Sequence, residues 1–291
     1  MCCPRCGGEV RPPSLMRSEW ICDRCGPVAP LHVIDHISAD ILAAVRDAMR
    51  GHDRLDPVPL WCPWPLLPGW TVTGVAWAGD EKHGARAAAV ALAGPSPLAE
   101  GPADVVFVAE QPGVGLGNSL AGLPGVDPGP ALREAVEHSV AHAKVRVGRH
   151  PTPLWSVNRE ATWGRYQREG PVGLSVADLA SAADRLAAEG SLEQAPADEP
   201  PVGQAPADQP PTAAEAAGRS RSGAGHAAKV ADCSAYVGEA RGMWLYAITW
   251  PASAGYLMVE DISLHDVTES VPAELVYGAP TRRLQPLGPA G

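Results

Sequence analysis

The hydrophobic positions of the chain follow two periods, and the changes between them mark out its elements. Residues 37–51 repeat apolar side chains at helical spacing, with Ile41, Leu42, Val45 and Met49 on one stripe. Ser38 is placed to cap that helix, Asp40 sits in its first turn, Gly51 follows its end, and Ile37 can staple onto Leu42. Residues 70–78, 86–93 and 104–110 read instead as strands. The first two flank a polar loop at 79–84. The third carries Val105, Val106, Phe107 and Val108 in an unbroken run, as a strand buried on both faces does. Their short connections predict an antiparallel meander. Residues 130–144 return to helical spacing, with Leu132, Val136 and Val140 on one stripe and Glu134, His138 and His142 on another. Two histidines four apart can bind zinc, but the order is not His-Glu-x-x-His, and a polar stripe opposite an apolar one reads as a solvated face. Residues 152–157 begin another strand. Residues 175–189 form a helix with a capping box at Ser175 and Asp178, a staple of Leu174 on Leu179, and Gly190 at its end. Residues 243–250 are a strongly apolar strand, 251–255 a turn, and 256–264 its returning partner. That strand is too apolar for an isolated hairpin, so it should join the meander and bring Trp244 or Trp250 into a core, or onto its rim, with Trp70 or Trp77.

Two stretches fit neither period. Residues 57–68 are punctuated by proline, which excludes a helix or a central strand, and Trp61 and Trp64 are expected to lie across the surface of the domain. The stretch is too apolar to serve as a solvent-exposed polyproline ligand. Residues 191–229 contain a ten-residue repeat beginning at Gln194 and Gln204, followed by Gly, Ser and Arg. Such residues bury too little to offset the entropy of ordering, so this is read as a disordered, protease-sensitive insertion.

The strongest chemical signal lies at the N-terminus. Cys3-Pro4-Arg5-Cys6-Gly7 is followed fifteen residues after Cys6 by Cys22-Asp23-Arg24-Cys25-Gly26, the C-x2-C-x15-C-x2-C spacing of a four-thiolate zinc site. Each knuckle sets two sulfurs close together, and four thiolates complete a tetrahedron with no open position, which predicts a structural zinc held by Cys3, Cys6, Cys22 and Cys25. Cys2 competes with Cys3 for the first position, and iron fits the same donors less well than zinc. Val10 and the Trp20-Ile21 pair can cover the metal. The expected architecture is therefore α+β: a zinc ribbon at 1–34, a connecting helix at 35–51, and a mainly antiparallel sheet domain with a few helices at 52–284. The insertion at 191–229 interrupts that domain, and a tail follows at 285–291.

Charge and composition narrow the function classes. The chain has 291 residues and a formal net charge of −10, which argues against a nucleic-acid or anionic-membrane surface. The ribbon sets Arg5, Arg11, Arg17 and Arg24 against Glu9, Glu19 and Asp23, so it has no basic stripe. Seven cysteines without a disulfide pattern, no leader segment and no apolar run of membrane length point to a cytoplasmic protein. The Gly-rich turn 111–119 follows a strand, but it has neither G-x-G-x-x-G nor a Walker lysine, and it reads as a loop rather than a phosphate cradle. Gly117-Asn118-Ser119-Leu120-Ala121 is only a partial match to a nucleophile elbow.

Several motifs together resemble an uncharacterised family of high-GC bacteria. They are the knuckle at 3–8, the Trp-Pro segment at 61–70, Gly-Val-Ala-Trp-Ala-Gly-Asp at 74–80, the Gly turn at 108–117, Pro-Thr-Pro-Leu-Trp at 151–155, and the segment 238–245. Members of that family carry labels such as phosphotransacetylase. The resemblance implies one ordered domain with an insertion at about 159–230, and no mechanism. The leading expectation is a non-catalytic zinc-ribbon protein that binds another protein as an interaction or regulatory module. The alternatives are nucleic-acid contact through the ribbon, and an acyl- or phosphoryl-transfer enzyme using the Gly113–Gly117 turn with Asp80, His83 or Glu110. A pocket joining that turn to Asp80 would favour the enzyme, and a flat aromatic patch at Trp61 and Trp64 the binding module.

Overall fold

The computed structural model describes residues 1–50, 58–96, 101–157, 232–259, 261–281 and 283–286. The helix expected at 175–189 and the insertion at 191–229 lie outside the described residues. In chain order the elements are β1 (Val10–Arg11), β2 (Ile21–Cys22), β3 (Gly26–Pro27), β4 (Leu31–Ile34), α1 (Ala39–Arg50), β5 (Trp61–Pro63), β6 (Thr71–Asp80), β7 (Gly84–Pro95), β8 (Pro102–Glu110), α2 (Leu116–Ala121), α3 (Gly129–His138), β9 (Ala143–Val147), β10 (His150–Ser156), β11 (Ser234–Ala240), β12 (Met243–Trp250), a 3-10 turn over Ala252–Val259, and β13 (Ile262–Asp266).

Strands β1 to β3 form a small sheet of their own, and the others join in the order β4-β6-β7-β8-β12-β11-β10-β9-β13-β5. Every described pair in the large sheet is antiparallel except β9 with β13. The meander β6-β7-β8 stands as its pattern predicts. Strand β12 continues it from far along the chain, with Trp244 opposite Glu110 and Trp250 opposite Asp104.

The unbroken apolar run of β8 is explained by a core on each side. Val105 and Phe107 face one, Val106 and Val108 the other. Strand β5 lies back over β7 and β8, so the sheet encloses the first core between its own two ends. Trp61, Trp77, Val145 and Leu264 meet there, and Leu42, Val45 and Met49 of α1 close one end. The second core lies on the opposite face, where Ala76, Ala87, Ala89, Tyr246 and Ile248 are covered by Leu116 and Leu120 of α2 and by Leu284.

The structure departs from the sequence pattern in several places. Helix α1 has the expected cap, with Ser38 Oγ accepting from the Ile41 amide at 3.3 Å, but Ile41 itself is exposed. Trp61 is buried, not on the surface, and Trp64 packs half-buried beside it in the first core. Helix α3 stops at His138, because Ser139 is extended and both its amide and hydroxyl take the Ala135 carbonyl. Residues 143–147 then alternate as a strand, with Ala143, Val145 and Val147 inward and Lys144 and Arg146 outward. Val136 and Val140 are left exposed. The partner of β12 is β11, not 256–264. Both neighbours of β12 are already β8 and β11, so β13 pairs with β5 and β9 instead. Trp70 and Trp77 belong to the first core, whereas Trp250, with Trp244 packed half-buried beside it, belongs to the second. The expected shared tryptophan core does not form, because the strands carry these residues on opposite faces.

Candidate metal centre and adjoining cleft

The two cysteine knuckles converge. The Gly7 amide bonds the Cys3 carbonyl at 2.8 Å, the Cys3 amide bonds the Gly8 carbonyl at 2.7 Å, and Gly7 and Gly26 are left-handed at φ +67° and +73°. The sulfurs of Cys3, Cys6, Cys22 and Cys25 all lie within 4.8 Å of one another, and Cys6 and Cys22 are 3.6 Å apart. Four sulfurs around one zinc stand about 3.8 Å apart, so this donor set suits a tetrahedral thiophilic ion. Val10, Trp20 and Val28 pack around the cluster, which is buried except at Cys25. Burial raises the Cys3 thiol. At Cys22 burial acts the same way, but the amides of Cys25 and Arg24 and the thiols of Cys6 and Cys3 outweigh it and bring the pKa down to about 7. Cys2 stands apart: it bridges to Leu31 through two backbone bonds and packs against the second core.

Arg5, inside the first knuckle, ties the cluster to the large sheet. Its Nη2 donates to the Gly113 carbonyl at 2.7 Å, its Nε to Val114 at 3.1 Å, and its Nη1 to Cys25 at 3.2 Å. The Gly-rich turn therefore faces the cysteine module with carbonyls. Three of its amides are already bonded: Gly113 to Asp127 Oδ1 at 2.8 Å, Val114 to the Gln111 carbonyl at 3.4 Å, and Gly117 to Glu110 Oε2 at 2.9 Å. Asp127 also accepts from Trp244 Nε1 at 3.3 Å. A phosphate cradle needs free amides, and these three are committed, two to carboxylates and one to a carbonyl of the chain.

Glu110 anchors this turn from within. It is fully buried, and its Oε1 lies 3.1 Å from the Tyr246 hydroxyl, which also reaches Asn118 Oδ1 at 2.9 Å. Burial pushes the Glu110 carboxyl up to about 7 against the opposing bonds from Gly117, Tyr246 and Leu116, with Asp127 adding to the rise. Tyr246 is raised by the same burial and by Glu110. Ser119, the residue at the nucleophile position of the partial elbow, is buried, and its hydroxyl has no hydrogen-bond partner among the described residues.

Of the residues weighed for transfer chemistry, Asp80 and His83 do meet the turn. A cleft of about 470 Å³ between the cysteine module and the β6–β7 hairpin is lined by Asp80, His83, Gly113 and Val114 together with Trp20 and Arg86. Asp80 Oδ1 accepts from the amides of Lys82 and His83 at 3.0 and 2.8 Å, and His83 Nδ1 lies 3.0 Å from it. Partial burial works against the Asp80 carboxylate, but the His83 amide and ring and the Lys82 amide hold its pKa below the ordinary value. Glu110 is not on this cleft. The stripe of Glu134, His138 and His142 is broken: His138 Nδ1 bonds the Glu134 carbonyl at 2.8 Å, and His142, off the helix, takes the Ser156 amide at 3.2 Å. The roles of Arg5, Arg86, Asn118 and Tyr246 were not read from the sequence. The one available signal was Glu110, a lone carboxylate ending the apolar run of β8.

Fold and site define a mixed α/β protein with a mostly antiparallel sheet and an N-terminal cluster of four cysteines that could hold a metal ion. The chain belongs to a family of unknown function, DUF6758, whose profile matches residues 1–172 and 186–284. No curated protein and no solved structure matches it. Among the described residues no helix is long and apolar enough to cross a membrane.

Proposed function

We propose that this chain is a zinc-binding protein in which Cys3, Cys6, Cys22 and Cys25 hold a structural zinc, and that it acts by binding another protein as an interaction or regulatory module. The observation that carries the metal reading is the convergence of four mostly buried sulfurs within 4.8 Å. Four thiolates fill a tetrahedral shell, so a zinc there crosslinks the knuckles and leaves no position for substrate. A zinc-ribbon fold coupled to metal binding goes with this reading, because strands of two residues have almost no core without the crosslink. A reducing, cytoplasmic setting goes with it too, since the thiols must stay unoxidised to bind. Nucleic-acid contact is less well supported: Arg5 is committed to carbonyls and Arg11 to Asp23, which leaves exposed Arg17 and Arg24 set against Glu9 and Glu19 in a chain of net charge −10. The cleft joining Gly113 and Val114 to Asp80 and His83 is the feature that favours a transfer enzyme, and the burial of Trp61 removes the flat aromatic patch expected of a binding module. Against phosphoryl transfer stand the amides of Gly113 and Gly117, occupied by carboxylates, and Glu110, which lies off the cleft. Elemental analysis of freshly purified, reduced protein should find about one zinc per chain, and Cys22→Ser should lose it. Protein free of both zinc and iron would overturn the metal reading.

A further inference from the structure

The cleft beside the cysteine module has features that a structural metal site does not require. Strand β7 is buried at Ala85, Ala87 and Ala88, yet Arg86 between them is exposed. The pairing of β6 with β7 steps from Ala78↔Ala87 to Gly79↔Ala85, so Arg86 has no partner across the ladder and is the extra residue of a β-bulge. A bulge of this kind re-aims a side chain. A Cβ on Gly79 would lie 2.2 Å from the Gly84 carbonyl oxygen, so the bulged corner accepts only glycine there. Arg86 lines the cleft and has no ion pair among the described residues. His83 lines it as well. With Nδ1–H donated to Asp80, Nε2 is the nitrogen left for a ligand, and it donates to an oxyanion as part of the imidazolium. Trp20, Pro27 and Val28 supply an apolar wall, and Glu19 is the remaining acid on the lining.

We propose that this cleft binds a small ligand with one oxyanion head and a planar apolar body, the head read by Arg86 and His83 and the body lying against Trp20. Arginine matches the oxygens of a phosphate or carboxylate with two parallel N–H donors, and an indole face takes a planar body. Glu19 disfavours a second anionic group on the ligand, away from the head. The cleft volume falls in the range of small-molecule sites. The proposal rests on the metal reading only in that the cysteine module forms the outer wall.

Calorimetry on the full chain, with metal content measured on the same sample, tests this using phenyl phosphate, benzoate and inorganic phosphate. One of the two aromatic probes should bind more tightly than inorganic phosphate, and the better of them identifies the head as phosphate or carboxylate. Arg86→Gln should weaken that probe about tenfold or more, the scale of a lost charge-assisted pair. Trp20→Ala should remove the advantage over inorganic phosphate. Metal-loaded protein that binds no probe below about 10 mM, weaker than any affinity a built site would show, overturns the cleft alone. So does unchanged binding by Arg86→Gln. Metal-free protein that still binds leaves the cleft standing and sinks the metal reading.

Discussion

A hydroxyl has one hydrogen, and the Tyr246 hydroxyl faces two acceptors, Glu110 Oε1 and Asn118 Oδ1. If Glu110 is ionised, one of them goes without. If Glu110 is protonated, its own O–H can donate to Tyr246, Tyr246 to Asn118, and Asn118 Nδ2 to the Pro124 carbonyl at 3.0 Å, while Gly117 still donates to Oε2. The geometry therefore suits the neutral acid, in line with a carboxyl raised by burial to about 7. Because the folded pKa lies above the unfolded one, stability is greatest below the ordinary glutamate range. It falls as pH rises to about 7, by about 3 kcal/mol from this group. Glu110→Gln mimics the protonated acid, with its amide donating to Tyr246 and its carbonyl accepting from Gly117. Denaturant unfolding between pH 5 and 8 should show a flatter profile for Glu110→Gln, and at pH 8 the variant should be at least as stable as the parent. A variant clearly weaker at pH 8 would mean the carboxylate is the form the core holds.

At the scale of elements, what could be read from the sequence was whatever a period or a spacing determines. The cysteine spacing located the cluster, the Ser38 cap located α1, and the double-faced run 105–108 identified a strand between two cores. Elements held by tertiary contact were not legible. Helix α2 is six residues with Gly117, Asn118 and Ser119 at its centre, bounded by left-handed Gly115 and Gly122 and fixed because all its residues are buried. Even its Gly117 is set from outside, since a Cβ there would come 2.3 Å from the Tyr246 ring. The helical reading of 130–144 runs over the first two residues of strand β9, although Ala143 to Val147 alternates. Strand β11 was missed although Arg241 and Gly242, both left-handed at φ 51° and 72°, make the two-residue turn of a tight hairpin. Arg5 belongs to the same class. Its fork reads three carbonyls on two separated elements, a pattern that no local spacing announces. Arg5→Lys cannot reproduce that fork. The substitution should lower stability by about 2 kcal/mol while leaving metal content unchanged, as read from thermal unfolding and elemental analysis in parallel. Loss of metal on the same substitution would show instead that Arg5 supports the cysteine cluster itself.

For the whole molecule, the large sheet is shared by two cores, and distant parts of the chain close each of them. The second core depends on residues near both ends. Cys2 pairs with Leu31 at the edge of β4, and Leu284 is buried in the second core together with Leu31 and Ala76. Beside it Arg283 bonds Asp104 Oδ2 at 2.7 Å and lies over the Trp250 ring at 5.0 Å, so the segment is fastened to β8 and β12 together. The proline- and glycine-rich composition of this region gives no hint of such anchoring, because the anchoring comes from one leucine and one arginine rather than from a repeated pattern. Leu284 is only 1% exposed, and its contacts cover a face built largely of alanines, which have no longer side chains to move into a vacancy. Leu284→Ala should then leave a cavity that collapses poorly and cost about 2–4 kcal/mol. Val140, at 86% exposed, is the control, and Val140→Ala should stay within about 0.5 kcal/mol of the parent. Chemical unfolding followed by both tryptophan fluorescence and circular dichroism would read both changes. If Leu284→Ala proved as mild as Val140→Ala, the C-terminal segment would be an ornament on the sheet and not part of its second core.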